Sequence, residues 1–318
     1  MIASVTGVSA VVSRRRRSLQ RSFLSNRLYS LAITRQVSPS ITDALSKSPA
    51  VGATVHYETC VQQHKQYVSC LRSILPTLSL PTLADHPDCV FVEDTVVAVG
   101  NKALLTRPGH SSRRGEVESI RLVLQQLGME THDADQQRHG DDDGGNDDNN
   151  VRIDGGDVLY TGRHMFVGLS ERTNYRGFER LQSVFGRTND ESATSSPSVA
   201  VIPIGLPAGT NALHLKSMTT HLDPSTLLVV EGEEGDGVLR SLEQHHSSYR
   251  FIRLPNMLAC NVVSVRNHVL AQDTNCTVSR ERITTACQER NLQLHWIDTS
   301  EFEKVDGALT CCSVLLDL

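Results

Sequence analysis

The spacing of apolar and polar residues predicts short strands that alternate with single helices along most of the chain. Apolar residues recur at helical spacing in five segments, residues 56–75, 112–128, 173–186, 237–246 and 279–291. Strand-like runs lie between these helices, and two pairs of runs, within residues 89–107 and 261–273, are typical of hairpins. Strand pairs and single helices alternate about every 40–50 residues, which favours an α/β repeat or propeller. A doubly wound sheet is disfavoured, because no Gly-rich phosphate loop follows the first strand.

The N-terminal segment differs from the rest of the chain. Residues 1–42 contain no Asp or Glu and include the run SRRRRSLQRSF. This composition is typical of an organelle transit peptide, whereas a disordered basic tail is the simpler alternative. We therefore predict a targeting or disordered segment at residues 1–36, followed by one catalytic domain at 37–318. The expected location is the mitochondrion, with the plastid second, and the cytoplasm if the segment is not a transit peptide.

A second segment, residues 136–150, is rich in Asp, Asn and Gly and contains no apolar residue. It has no face to bury, so we predict a solvated acidic loop inserted into the domain. Clustered Asp suggests calcium, but the spacing does not fit the ligand pattern of an EF-hand loop.

Composition narrows the class of protein. The 318 residues are 39% hydrophobic and 21% charged, with a net charge of −5, as in soluble globular domains. The mild acidity argues against a nucleic-acid partner, and no run approaches the ~18 apolar residues of a membrane span. The eight cysteines show no C-x-x-C spacing, which favours a reduced, intracellular protein.

The candidate chemistry begins with the vicinal pair Cys311 and Cys312, which lies near the end of the chain. Burial as small apolar side chains is the simplest explanation of such a pair. Elsewhere, paired glycines separate Asp154 from Asp157, and His214 stands in the run LHLKS. A cysteine at a strand end, a histidine and a carboxylate beside a Gly-Gly bend are the parts of an activated thiol nucleophile.

Several of these motifs together resemble one family. The runs FVED, LLTRPG, SRRGEV, DGGDVLYTGRHMFVGLSERTN, LHLKS and EKVDGALTCCSVLL are similar to those of the dimethylarginine dimethylaminohydrolases, and they cover roughly residues 37–315 in the family's order. The resemblance implies a pentein fold: a five-bladed α/β propeller of ββαβ repeats around a central active-site channel. It also implies hydrolysis of N-ω-methylated arginines to citrulline and a methylamine, which relieves inhibition of nitric oxide synthesis.

The resemblance also assigns roles to residues. Cys311 takes the nucleophile position, His214 that of the general acid and base, and Asp154 that of the carboxylate that orients the histidine. Cys312 falls on a neighbouring position that is not catalytic in the family. The predicted substrate-binding residues are the acids and arginines around the motifs, one lid residue and one backbone carbonyl: Asp88, Glu93, Asp94, Arg113, Arg172, Leu45 and Val305. His221 and Asp223, in the run HLD, resemble a motif of arginine deiminases but fall outside this set.

Side-chain direction bears on the three acids. If residues 88–94 form a strand, Asp88 and Asp94 face one side and Glu93 faces the other, because side chains alternate along a strand. A strand flanked by solvated acids is the simpler alternative.

No cofactor is expected, although zinc fits a cysteine and a histidine as an inhibitor. The expected partner is a small methylated arginine, without nucleic acid or membrane, and the protein is expected to be a monomer or homodimer. Two other functions remain open: an arginine or agmatine deiminase, and an inactive pentein that serves as an interaction protein.

Overall fold

The computed structural model describes residues 29–47, 54–135, 150–187, 199–245 and 248–318. Within these residues, fifteen strands form five sheets of three strands each. The strands are β1 Leu31–Arg35, β2 Thr77–Leu80, β3 Val96–Val99, β4 Lys102–Leu105, β5 Glu130–Asp133, β6 Val158–Tyr160, β7 His164–Leu169, β8 Ala200–Gly205, β9 Thr219–Asp223, β10 Thr226–Val230, β11 Arg250–Leu254, β12 Val262–Val265, β13 His268–Gln272, β14 Gln293–Ile297 and β15 Val314–Leu316.

The α-helices of the described residues are α1 Tyr57–Ile74, α2 Val117–Gln126, α3 Tyr175–Phe185, α4 Leu215–Met218, α5 Glu233–His245, α6 Thr277–Glu289 and α7 Ser300–Glu303. The five longer helices confirm the predicted helical segments. Local signals explain some of their ends: the Asn174 side chain accepts a hydrogen bond from the Gly177 N–H at 2.9 Å and so caps the start of α3.

Each sheet repeats one ββαβ unit. In one of them, β6 pairs with β7 antiparallel, and β7 pairs with β8 in parallel after the chain has crossed over through α3. The sheets β3-β4-β5, β9-β10-β11 and β12-β13-β14 follow the same scheme, with α2, α5 and α6 as the crossovers. Antiparallel neighbours need only a short turn, whereas a parallel neighbour needs a long crossover, which each helix supplies. The predicted five-bladed α/β propeller is therefore confirmed.

The fifth blade joins the two ends of the domain. Strand β1 pairs antiparallel with β15, with Ile33 opposite Val314, and pairs in parallel with β2 after α1. Ala32 and Ile33 are fully buried, so this strand belongs to the core. The predicted domain boundary at residue 37 is therefore corrected to an earlier position, because β1 lies before it. Residues 1–28 and 136–149, which hold most of the predicted basic segment and acidic loop, lie outside the described residues.

The first strands of the blades line a central channel. One cavity, of which Glu93 and Lys216 form part of the wall, is lined by residues of β3, β6, β9, β12 and β15. One predicted strand is wrong: Val92–Thr95 forms a 3-10 turn that leads into β3. Among the described residues, the helices are too short or too polar to cross a bilayer.

Candidate active site

A small cavity lies in the channel, and it brings together most of the predicted site residues. Nine of the ten line it, and Glu93 is the exception. The lining consists of Leu45, Asp88, Phe91, Asp94, Arg113, Asp154, Arg172, Leu213, His214, Val305, Asp306, Gly307 and Cys311. These residues are far apart in the sequence, so the propeller fold is what makes them neighbours.

His214 is held at the cavity by Asp154. Its Nε2 lies 3.0 Å from Asp154 Oδ2, and both side chains are buried. The other carboxylate oxygen of Asp154 accepts a hydrogen bond from the Gly109 N–H at 2.7 Å, which fixes the carboxylate. A methyl group at Gly156 would lie 2.5 Å from His214 Nδ1, so the Gly-Gly bend allows the backbone to pass against the ring.

The carboxylates around His214 favour its protonated form. Burial alone lowers the pKa of His214, but the negative charges of Asp94, Asp154 and Asp157 and the hydrogen bond to Asp154 outweigh it and raise the pKa to about 9. Burial likewise opposes ionisation of Asp94, yet His214 and Arg113 lower its pKa to about 2. The site therefore holds an imidazolium beside a carboxylate at neutral pH.

The two vicinal cysteines have different surroundings. Both lie in the buried 3-10 turn Thr310–Cys312, but only Cys311 lines the cavity. The Cys312 Sγ lies 3.5 Å from the Ala308 carbonyl oxygen and packs in an apolar cluster. Burial, together with the nearby carboxylates of Glu93 and Asp94, raises the pKa of the Cys311 thiol well above its usual value. Without a bound ligand, Cys311 is thus a neutral thiol at neutral pH.

The three predicted acids divide between two cavities. Asp88 and Asp94 line the cavity of Cys311, and Glu93 does not. Burial raises the pKa of Asp88 to about 6, against the opposing effects of Arg113 and of the Leu45 N–H, which lies 3.1 Å from Asp88 Oδ1. Asp88 therefore combines a raised pKa with a hydrogen bond from the backbone of the loop that carries Leu45.

Glu93 lines the other channel cavity. Its Oε1 lies 2.5 Å from Lys216 Nζ, and its Oε2 accepts a hydrogen bond from the Thr310 hydroxyl at 3.0 Å. Thr310 directly precedes Cys311, so this ion pair lies immediately behind the nucleophile position. A direct contact between Glu93 and a ligand beside Cys311 remains a prediction.

The two predicted arginines differ in their availability. The buried guanidinium of Arg113 bonds to Asp94 Oδ2 at 2.5 Å, to both carboxylate oxygens of Glu116 at 3.1 and 2.7 Å, and to the Phe91 carbonyl oxygen at 2.8 Å. It thus supports the acids of the site, and little of it remains free for a ligand. Arg172 lines the cavity, and its guanidinium forms no hydrogen bond or ion pair with another described residue. Arg172 is accordingly the better candidate to bind a carboxylate.

Other residues belong to the site without having been predicted, notably Glu116 and Lys216. The run SRRGE carries a weak signal for the Arg113–Glu116 pair, since residues three apart meet on one helical turn. Nothing in the sequence indicates that Lys216 reaches Glu93, because the two lie on different blades. His221 and Asp223 lie on β9, where Asp223 pairs with Arg290 at 3.0 Å, and neither lines the cavity of Cys311.

One group of side chains in the described residues has metal-ligand geometry. Ligand atoms of Asp94, Asp154 and His214 lie within 4.8 Å of one another. Their oxygens already accept hydrogen bonds from Arg113, Gly109 and the Gly156 N–H, which lies 2.8 Å from Asp94 Oδ1. These contacts account for the cluster as a hydrogen-bonded network, and inhibition by zinc remains a prediction.

Known proteins resemble the chain in sequence and structure. A family model described as arginine deiminase matches residues 79–249, which is more than half of the chain. The N(G),N(G)-dimethylarginine dimethylaminohydrolase of Streptomyces coelicolor is 28% identical over 286 residues, which cover 90% of this chain and 96% of that protein.

Two solved structures show the same architecture. The dimethylarginine dimethylaminohydrolase of Pseudomonas aeruginosa, a cysteine-to-serine variant in complex with citrulline, superposes with a TM-score of 0.72 at 25% identity and covers 91% of this chain and 100% of that one. The N-terminal domain of a cyanobacterial arginine dihydrolase superposes with a TM-score of 0.71 at 16% identity and covers 90% and 97% of the two chains. This second likeness concerns the fold alone.

Proposed function

The chain belongs to the arginine deiminase family, and we propose that it hydrolyses N-ω-methylated arginines to citrulline and a methylamine. One observation carries the proposal: Cys311, the imidazolium of His214 and the acids Asp88 and Asp94 line the same small cavity. Two relatives that match most of the chain are dimethylarginine dimethylaminohydrolases, and one of them binds citrulline. The expected consequence in the cell is removal of inhibitors of nitric oxide synthesis.

The acids of the cavity suit a guanidinium substrate. A guanidinium is planar and cationic, so carboxylates bind it through paired, charge-assisted hydrogen bonds. Asp88 exchanges its bond to the Leu45 N–H for the substrate, and the substrate's positive charge lowers the raised pKa of Asp88. Asp94 is held in place by Arg113 and by the Gly156 N–H, so it offers a fixed oxygen to the substrate.

The reaction proceeds through a covalent intermediate on Cys311. Resonance makes the guanidinium carbon a poor electrophile, so a thiolate is the suitable nucleophile, and only the thiolate attacks. The Cys311 sulfur forms a bond to the guanidinium carbon and gives a tetrahedral intermediate. His214 donates its proton to the departing methylamine nitrogen, the C–N bond breaks, and a thiouronium adduct remains. His214 then takes a proton from water, and the hydroxide adds to the same carbon. The C–S bond breaks, the proton of the added hydroxyl group passes to the departing Cys311 sulfur, and citrulline is released.

Substrate binding supplies the thiolate. Burial and the carboxylates of Glu93 and Asp94 keep Cys311 protonated in the free enzyme. A substrate cation beside the sulfur offsets these charges and lowers the pKa of the thiol, so the thiol releases its proton to solvent as the substrate binds. The ultraviolet absorbance of a thiolate should therefore appear when a cationic, unreactive substrate analogue binds, and its presence at full strength in the free enzyme would contradict this step.

The remaining polar groups of the cavity bind the end of the substrate that carries its α-amino and α-carboxylate groups. Arg172 pairs with the substrate carboxylate through two parallel hydrogen bonds. The backbone carbonyl of Val305, which lines the same cavity, accepts a hydrogen bond from the α-amino group. Leu45 covers the site from the loop that contacts Asp88. Arg113 acts mainly through Asp94, since most of its donors already have partners.

The substrate is tested by giving the purified protein asymmetric dimethylarginine, monomethylarginine, arginine and agmatine in parallel and measuring citrulline, or carbamoylputrescine in the case of agmatine. We expect citrulline from the two methylated arginines and little product from the other two. Preference for arginine or agmatine would identify a deiminase instead. If no guanidine compound reacts and Cys311 is intact, the inactive interaction protein becomes the better explanation.

We further propose that the basic N-terminal segment directs the protein to mitochondria, or second to plastids. A fusion of residues 1–28 to a fluorescent protein should enter an organelle, because this segment is rich in arginine and contains no acid. The fused segment ends before β1, so it contains no core strand of the enzyme domain. Replacement of Arg14, Arg15, Arg16 and Arg17 by glutamate should return the fusion to the cytosol. A cytosolic wild-type fusion would contradict targeting without affecting the catalytic proposal.

The proposal also covers the effect of metal ions and the oligomeric state. No cofactor is required, and zinc would inhibit by binding the Cys311 thiolate and the His214 imidazole. Relief of zinc inhibition by a chelator, with full activity of chelator-treated protein, tests both statements. A monomer or homodimer is the expected assembly, which light scattering of the purified protein measures.

A further inference from the structure

Asp157 is a fully buried carboxylate at the end of the Gly-Gly bend, and the reaction described above does not use it. It lies in the 3-10 turn Gly155–Asp157, three residues after Asp154. Burial raises the pKa of Asp157 to about 6, against the opposing effects of His214 and of donors from Ser170 and the Leu215 backbone. A buried carboxylate is costly unless donors satisfy it, so the groups that donate to Asp157 are part of the reason that it is tolerated.

One oxygen of Asp157 holds the loop of the histidine. The Leu215 N–H donates to Asp157 Oδ1 at 2.9 Å, and Leu215 directly follows His214 at the start of α4. The packing here is close, because a methyl group at Gly168 would lie 2.7 Å from Leu215 Cβ and 2.8 Å from Asp157 Oδ1. The carboxylate thus fixes the backbone from which the His214 side chain reaches the cavity.

The other oxygen of Asp157 holds the loop of the arginine. The Ser170 hydroxyl donates to Asp157 Oδ2 at 2.6 Å. The same hydroxyl oxygen accepts hydrogen bonds from the Arg172 N–H at 2.9 Å and from the Thr173 N–H at 3.1 Å. The backbone of Arg172 is therefore tied to Asp157 through one side chain.

A third connection leads to the carboxylate that orients the histidine. The Asp157 N–H donates to the Asp154 carbonyl oxygen at 3.0 Å. Thr173, whose N–H bonds to the Ser170 hydroxyl, accepts a hydrogen bond from the Asp154 N–H with its own hydroxyl oxygen at 3.0 Å. Asp154, His214 and Arg172 thus all have a backbone connection to the same buried group. Hydrogen bonds that share one buried carboxylate hold these three residues in a fixed relative position, as catalytic and binding groups require.

We propose that Asp157 is a positioning residue that holds the acid–base histidine and the carboxylate-binding arginine in one fixed arrangement. The inference rests on the proposed function for the roles of His214 and Arg172. It goes beyond that function because it links the residues that act on the two ends of the substrate: His214 acts on the guanidinium end, and Arg172 binds the carboxylate end. A loss at Asp157 should therefore affect both kcat and KM.

The connections from Asp157 to His214 and to Arg172 can be tested separately by mutation. Asp157→Asn keeps the shape of the side chain but removes the charge, and it should lower kcat about tenfold or more and also raise KM. Ser170→Ala removes the hydroxyl that binds the Arg172 and Thr173 N–H groups but leaves the bond from Asp157 to the Leu215 N–H, so it should mainly raise KM for dimethylarginine, several-fold, and leave kcat within about twofold. With N-ω-dimethylagmatine, which lacks the carboxylate, Ser170→Ala should behave as wild type, whereas Asp157→Asn should still lose kcat. Asp223→Asn, at a carboxylate that pairs with Arg290 away from the cavity, is the matched control and should match wild type.

A pH measurement distinguishes positioning from simple stabilisation. The negative charges of Asp94, Asp154 and Asp157 all favour the protonated imidazole, so loss of one charge should lower the pKa of His214. The alkaline limb of kcat/KM should therefore move to lower pH in Asp157→Asn. NMR titration of the His214 imidazole should show the same direction, and it needs no turnover.

The outcomes are distinct. If folded Asp157→Asn matches Asp223→Asn in kcat, KM and the His214 titration and differs only in melting temperature, the positioning role is wrong. If Asp157→Asn does not fold, Ser170→Ala decides, and an unchanged KM for dimethylarginine overturns the proposal. Failure of the proposed function appears separately, as a wild-type protein that releases no citrulline from methylated arginines. In that case the NMR titration still tests the connection between Asp157 and His214.

Discussion

Replacement of Cys311 by serine is expected to abolish turnover, while replacement of its neighbour Cys312 leaves most of it. A serine hydroxyl at position 311 has a far higher pKa than a thiol, and the nearby carboxylates that raise the pKa of Cys311 oppose its ionisation as well. Loss of a nucleophile that acts together with a base removes nearly all of the chemical step, so we expect a fall in kcat of at least about 10⁴-fold.

The matched variant Cys312→Ser makes the same chemical change one residue later. Cys312 packs in an apolar cluster and does not line the cavity, so the change should act on stability. A buried hydroxyl that lacks a good partner costs about 1–3 kcal/mol, which the Ala308 carbonyl oxygen partly offsets as an acceptor. Steady-state kinetics and thermal unfolding of both variants give the test. An active Cys311→Ser beside an inactive, folded Cys312→Ser would reverse the assignment.

Mass spectrometry adds an independent measurement. Acid-quenched wild-type protein that turns over dimethylarginine should carry the mass of the thiouronium adduct on the peptide that contains Cys311. Cys312→Ser should show the same adduct, and Cys311→Ser should show none. An adduct that maps to position 312 would contradict the proposed nucleophile even if both variants lost activity.

The predicted separation of Glu93 from Asp88 and Asp94 is correct, although the strand on which it was based does not exist. Strand alternation placed Asp88 and Asp94 on one side and Glu93 on the other, and the first two do line the cavity of Cys311. The structure has a 3-10 turn at Val92–Thr95, where successive side chains diverge by about a third of a turn. Glu93 and Asp94 point apart for that reason, so the same separation arises from a different geometry.

The parts of the site that escaped prediction depend on contacts between blades. Lys216 meets Glu93 across 123 positions of sequence, and Asp157 meets the Leu215 N–H across 58. Helical and strand periodicity are local properties, so they indicate elements but not which polar groups meet at the centre of a propeller. The strand Leu31–Arg35 escaped for another reason: the acid-free composition of the N-terminal segment continues into it and conceals the boundary.

Replacement of Arg172 by alanine is expected to weaken use of the substrate strongly. The guanidinium of Arg172 lines the cavity and is unpaired among the described residues, so its removal leaves a bound carboxylate without its main partner. Truncation of one member of a buried charge pair costs about 2–4 kcal/mol, which corresponds to roughly a 30- to 900-fold fall in kcat/KM. The loss should fall mainly on KM, because the carboxylate is bound similarly in the ground state and the transition state.

The change at Arg172 acts at one end of the substrate only. Discrimination between methylated and unmethylated guanidines is decided at the other end, so the ratio of kcat/KM for dimethylarginine and arginine should stay near the wild-type ratio. Arg163→Ala, at an exposed arginine outside the cavity, is the control and should retain wild-type kinetics. The sharpest comparison uses N-ω-dimethylagmatine, which has no carboxylate for Arg172 to bind. If wild type uses this compound as well as dimethylarginine, or if Arg172→Ala loses both substrates equally, Arg172 does not bind the carboxylate.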